Sequence, residues 1–214
     1  MIWRLGLAAM AFALAAPASA RSLAPRDECG AITGADAFRM ALATAVANRD
    51  EAMLLPLFAP DVLLDFGGGS GRELLRERLN DPDYRLWEEL ERLLPLGCAK
   101  GSDEGVVMPW LWAQDIDEDD AFAVLYVTGA NVPVYRSPSG DVVIARLSWS
   151  LVGWSAYLEQ QEEPEGATRG AVRLADGSTG YIEKDMARSL LDYRLIVSRT
   201  DNGILQVTVF IAGD

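Results

Sequence analysis

Tyr193-Arg194-Leu195-Ile196-Val197-Ser198, then Asp201-Asn202-Gly203, then Ile204-Leu205-Gln206-Val207-Thr208-Val209-Phe210-Ile211 is the stretch that decides how the chain is divided. Two β-prone runs flank a turn in which Asn-Gly supplies positive φ angles, so a hairpin is predicted. Leu205, Val207, Val209 and Ile211 alternate onto one face, and that face is predicted to be buried. The hairpin either ends the β-rich region before it or completes a unit begun near the N-terminus. Its strand partners fix the domain map.

Before the hairpin the hydrophobic period is two. Residues 122–128, 131–135, 142–147 and 171–174 read as short strands separated by Gly, Pro, Ser and Asp, which predicts a small barrel or meander. Further back the period is helical. Thr33-x-x-Asp36 reads as a capping box, with Phe38, Leu42, Ala45 or Val46, and Arg49 on one face. Asp50 reads as the cap of a short helix carrying Met53, Leu54, Leu57 and Phe58, which Pro56 must kink or restart. Residues 62–66 read as a brief strand, and Gly67 to Gly71 turn it into a helix bearing Leu74, Leu75 and Leu79. Asp81-Pro82 reads as the start of a fourth helix, with Trp87, Leu90 and Leu94 inward, stopped by Pro95 and Gly97.

Composition narrows the chemistry. The 214 residues carry a formal charge of −13 and no histidine. Imidazole nucleophile pairs and histidine metal sites are excluded, and nucleic-acid binding through a basic surface is disfavoured. Arg4, the apolar run Leu5 to Ala16 and Pro17-Ala18-Ser19-Ala20 have the form of a secretory signal with cleavage after Ala20. A retained N-terminal anchor is the alternative. The two cysteines, Cys29 and Cys98, follow that point, and a lone pair in an oxidising compartment is most simply a disulfide. A catalytic thiol would need a neighbouring base or a Cys-x-x-Cys spacing, and the sequence offers neither.

The stretch Thr128-Gly129-Ala130-Asn131-Val132-Pro133-Val134-Tyr135-Arg136-Ser137-Pro138-Ser139, followed by 141–147, resembles the opening strands of bacterial Src-homology-3-like (SH3-like) domains of exported proteins. Val172-Arg173-Leu174-Ala175-Asp176-Gly177-Ser178-Thr179-Gly180-Tyr181-Ile182 resembles their closing Asp-Gly-x-x-Gly-Tyr-Val signature. There the glycines give a tight turn and then a close approach by a strand whose Tyr packs inward. The likeness covers about a quarter of the chain, residues 127–182. It departs from the pattern at Gly153-Trp154, which lies 18 positions ahead of Val172, with an acidic segment in between. The resemblance implies binding of cell-wall peptide or envelope protein and does not imply catalysis. The flanking helices, strand and terminal hairpin more weakly resemble a nuclear-transport-factor-like α+β domain, into which the β unit would be inserted.

These readings give an α+β protein. Residues 1–20 are the signal peptide, 21–120 a disulfide-stapled helical or α+β domain, 121–190 the SH3-like β-barrel, and 191–214 the terminal hairpin, free to complete the first domain. The candidate ligand-binding residues are Tyr135, Trp154 and Tyr181, in a groove where flat rings stack on extended peptide and acidic neighbours attract its amines. No cofactor or metal is implied. Asp115-x-Asp117-x-Asp119 has calcium-loop spacing, but Asp120 and Tyr126 stand where Gly and Glu are required. Gly67 to Gly71 lacks the Gly-Lys-Ser/Thr of a phosphate loop and reads as a structural turn. Two rivals to a binding protein stay open: a carboxylate-dependent glycan hydrolase built around Asp65, whose own simpler role is to stabilise the turn, and a structural role in envelope assembly.

Overall fold

The computed structural model describes residues 22–116, 120–160, 164 and 166–213. Both helices and sheets are present, and the fold class is α+β. Helix α1 (Ala35–Ala47) buries Phe38, Leu42, Ala45 and Val46 at the expected spacing, but Arg49 lies beyond its end and is exposed. The capping box does not form. Gly34, left-handed at φ 84°, starts the helix without a side-chain cap. Asp50 does cap α2 (Glu51–Leu54), accepting from the Met53 N–H at 3.0 Å. Pro56 tightens the next turn into a 3-10 helix, so Phe58 becomes the first residue of strand β1 (Phe58–Leu63) rather than a helical one.

The glycine-rich turn leads into α3 (Arg72–Asn80), which buries Leu75 and Leu79. Asp81-Pro82 makes only a turn, with Asp81 Oδ1 accepting from Asp83 N–H at 2.9 Å. The fourth helix, α4 (Leu86–Leu93), starts later, behind a left-handed Arg85, and buries Leu86, Leu90 and Leu93. Cys29 and Cys98 form a disulfide, with Cα atoms 5.7 Å apart, that staples the two ends of this helical stretch. Strands β2 (Ala99–Lys100) and β3 (Val106–Met108) follow it and pair with each other.

Seven strands form a second sheet: β4 (Val124–Val127), β5 (Val132–Tyr135), β6 (Val143–Leu147), β7 (Leu151–Trp154), β8 (Arg169–Arg173), β9 (Thr179–Glu183) and β10 (Ala187–Ser189). A short helix, α5 (Ser155–Leu158), leaves β7. Their order is β10-β4-β7-β8-β9-β5-β6. The expected barrel is not closed. Among the described residues β10 and β6 are sheet edges, and β6 leaves Val143 and Ile144 exposed instead of folding back on β10. Val127, Val132, Val134, Val152, Val172 and Ile182 fill the core of this sheet. Gly180 sits where a Cβ would collide with Val134 Cγ1, and Gly177 turns the chain at φ 82°. Both glycines therefore do what the sequence led one to expect of them.

The terminal hairpin pairs away from this sheet. Its strands are β11 (Arg194–Arg199) and β12 (Leu205–Ile211). β12 runs parallel to β1, and β11 runs antiparallel to β3, giving the order β1-β12-β11-β3-β2. The chain thus leaves the first sheet after β3, builds the second, and returns to finish the first. At the hairpin turn only Gly203 has positive φ, at 78°; Asn202 does not, because the Thr200–Ile204 hydrogen-bonded pair closes a loop of three residues, Asp201 to Gly203, rather than two. A β-bulge also breaks the expected alternation. Ile196 faces Val209 and Val197 faces Val207, so Thr208 is left over. Beyond the bulge Phe210 replaces Val209 as the buried residue. Helices and sheet then share one core that includes Leu42, Leu54, Phe58, Leu90, Met108 and Phe210.

Candidate functional site

Strand register decides which aromatic rings meet. Residues directly opposite across an antiparallel pair share a face, and neighbours along a strand take opposite faces. Tyr135 stands opposite Tyr181, and Tyr181 opposite Ala171. Trp154 stands opposite Val172, one residue along β8, and Val172 belongs to the core. The two tyrosines therefore lie together on the outer face, and Trp154 lies on the other. Tyr181 does not pack inward, because its neighbours Gly180 and Ile182 take the core positions.

The outer tyrosine face is already occupied by the protein itself. The Arg169 guanidinium lies 3.5 Å from the Tyr135 ring centroid. Arg169 also pairs with Glu183 across β8 and β9 at 2.6 Å and donates to the Gly140 carbonyl at 2.7 Å. A ring capped this way presents little free π surface.

Trp154 belongs to a different array. Its indole stacks on Tyr157 at 6.2 Å between centroids, and Tyr157 stacks on Phe122 at 6.2 Å with planes only 16° apart. Phe122 and Tyr157 are each 44% exposed. Helix α5 turns Tyr157 back beside Trp154. The 3-10 turn Ala121–Ala123, capped by the Asp120 carboxylate on the Phe122 N–H at 2.9 Å, brings up Phe122. A hollow of about 290 Å³ is lined by Asp120, Gly153 and Leu158, among others, and none of the three rings lines it. Of these rings only Trp154 is among the ligand-binding residues expected from the sequence; Phe122 reads there as the first residue of a strand.

Two further tryptophans, and the carboxylate candidate Asp65, take structural roles. Trp110 is fully buried, and Trp149 packs against Tyr126 at 6.2 Å. The Asp65 carboxylate accepts from the Gly69 N–H at 2.8 Å and pairs with Arg78. The Arg78 guanidinium, with the Gly69 N–H, holds its carboxyl below the usual aspartate value. That is the reverse of what a general acid requires, and it matches the turn-stabilising role. Of the acidic stretch, Asp115, Ile116 and Asp120 are described; 117–119 and most of 161–165 lie outside the described residues. Among the described residues one trio of potential metal ligands occurs, Asp27 with Cys29 and Cys98, and its sulfurs are committed to the disulfide. No helix among the described residues is long and apolar enough to cross a membrane.

No protein-family model, no curated protein and no solved structure matches this chain.

Proposed function

We propose that this chain is an exported, non-catalytic binding protein whose SH3-like second sheet contacts cell-wall peptide. The observation that carries the reading is the Trp154–Tyr157–Phe122 stack, whose outer rings, Tyr157 and Phe122, are exposed beside a half-buried Trp154. Such rings bury large area at low entropic cost and accept extended peptide by stacking. Asp120 stands two residues before Phe122, and the chain as a whole carries −13, so an amine-bearing stem peptide meets a complementary field. The disulfide supports an oxidising compartment. The leader over residues 1–20 lies outside the described residues and belongs to the same proposal. Relative to the groove expected from sequence, the reading keeps Trp154 and exchanges Tyr135 and Tyr181 for Tyr157 and Phe122.

Co-sedimentation with purified sacculi at physiological salt tests it. Wild type is expected to be retained, and the Phe122→Ala, Tyr157→Ala double variant to bind roughly tenfold or more weakly, as aromatic anchors do. Absence of wild-type retention rejects the cell-wall reading. Equal retention of the variant rejects the ring stack as its site.

A further inference from the structure

The hollow that Asp120, Gly153 and Leu158 line has a build of its own. Val124 stands opposite Gly153 across β4 and β7, and Leu151 lies two residues back along β7, so the three share one face of the sheet. Leu158, at the end of α5, supplies a further wall. Gly153 makes that possible, because a Cβ there would lie 3.0 Å from Leu158 Cδ1 and push it aside. At about 290 Å³ the hollow has room for a single side chain rather than a larger ligand.

Its walls are apolar except at one residue. Asp120 is the one charged residue lining it, and it is exposed. Asp120 Oδ1 accepts from the Phe122 N–H at 2.9 Å, while Oδ2 has no hydrogen-bond or ion-pair partner among the described residues. The cation on the neighbouring strand is committed elsewhere: Arg173, opposite Gly153 on β8, pairs with Glu159. The hollow thus joins apolar walls to one carboxylate with an oxygen to spare. Being exposed, that carboxylate keeps its charge without a burial cost.

We infer that this hollow takes a flexible alkyl side chain ending in a primary ammonium, its methylenes against Val124, Leu151 and Leu158 and its ammonium on Asp120. A lysine-type side chain has this form, an apolar stem whose charged head stays at the water boundary. An acidic side chain would meet repulsion from Asp120, and a purely aliphatic one would leave its oxygen unused. That the ammonium belongs to a wall peptide rests on the ring-stack reading. Phe122 and Tyr157 come from the same two segments as the hollow, residues 120–124 and 151–158, and Leu158 follows Tyr157 directly, so a peptide on the rings has the hollow within reach.

The test uses the whole purified protein and four probes: N-acetyl-lysine methylamide, its ammonium-free match N-acetyl-norleucine methylamide, the shorter N-acetyl-diaminopropionate methylamide, and cadaverine as a free diamine. Binding is followed by amide chemical shifts in an NMR titration. The lysine probe is expected to bind in the millimolar range and to move the amides of Val124, Gly153 and Leu158. It is expected to lead the norleucine probe by about fivefold and the shorter amine by about tenfold. Asp120→Asn, which keeps an oxygen for the Phe122 N–H, is expected to remove the lead over norleucine. Leu158→Ala, at an exposed wall, is expected to weaken the lysine and norleucine probes alike by roughly threefold with the circular dichroism unchanged. No saturable shift at those amides overturns the inference. So does equal binding of the lysine and norleucine probes, equal binding of the shorter amine, an undiminished lead in Asp120→Asn, or a tenfold preference for cadaverine. Retention on sacculi without binding of the lysine probe overturns this inference alone; binding of the lysine probe without retention overturns the cell-wall reading alone.

Discussion

Phe58 and Phe210 meet edge to face, with ring centroids 6.1 Å apart and planes at 66°. One opens the strand that follows the N-terminal helices; the other lies near the end of the last strand. Parallel pairing of β1 with β12 brings them together, and the bulge at Thr208 turns Phe210 rather than Val209 into the core. This contact joins the two ends of the described chain in one hydrophobic core while the whole second sheet intervenes in sequence.

That geometry ranks two neighbouring substitutions. Phe210→Ala removes a ring that is 1% exposed and is expected to cost roughly 3–5 kcal/mol. Val209→Ala, at a half-buried position, is expected to cost well under half as much. Urea unfolding of both variants checks the order. The reverse order would mean that alternation continues through Thr208 unbroken.

What the sequence made legible follows from periodicity. Phe38, Leu42, Leu75 and Leu90 recur at helical spacing, and Val132, Val134, Leu205 and Val207 alternate, because each set answers to one buried face. The misses share a cause as well. A bulge inserts a residue without any compositional mark, so the alternation that buries Leu205, Val207 and Ile211 fails at Val209, whose place Phe210 takes. β2, β3 and β10 are two or three residues long, too short to show a period. The Asp81-Pro82 pair carries a helix-start pattern, but the backbone spends it on a turn. Phe122 owes its place to a 3-10 turn, and its position could not be found by counting along the chain.

The Cys29–Cys98 bridge closes a loop of 69 residues in sequence separation. On the chain-entropy model, Cys29→Ser with Cys98→Ser is expected to cost about 4 kcal/mol. Denaturant unfolding of the oxidised wild type and the double variant checks this. Equal midpoints would show that the loop is already restrained in the unfolded chain.

Glu89 gives a pH signature. Burial first, and then the Asp192 charge, raise its carboxyl above the ordinary glutamate value, while Arg92, Arg188 and Arg85 pull it down. The folded chain keeps this proton over a range in which the unfolded chain has lost it. Its contribution to stability therefore falls as pH climbs from the ordinary glutamate value through the raised one. Glu89→Gln is expected to be more stable than wild type at neutral pH, and the gap to close below the ordinary glutamate range. Urea midpoints across that range check the sign; a gap that widens toward acid contradicts it.

Gly177 in the β8–β9 turn and Gly180 in β9 separate backbone strain from sterics. Gly180→Ala puts a methyl group into Val134 and is expected to cost roughly 1–3 kcal/mol. Gly177→Ala meets no atom within 4 Å, and its φ of 82° alone is expected to cost about 1–2 kcal/mol. Replacing Val134 by Ala in the Gly180→Ala background is expected to recover part of the first loss and none of the second, measured as a double-mutant cycle.

Export into an oxidising space underlies the proposed function, and the intact mass of the protein recovered from its native host tests it most directly. The account predicts a chain that begins at Arg21 and weighs two hydrogens less than its reduced form. A chain that still carries Met1 to Ala20, with both thiols free to alkylation, would contradict it.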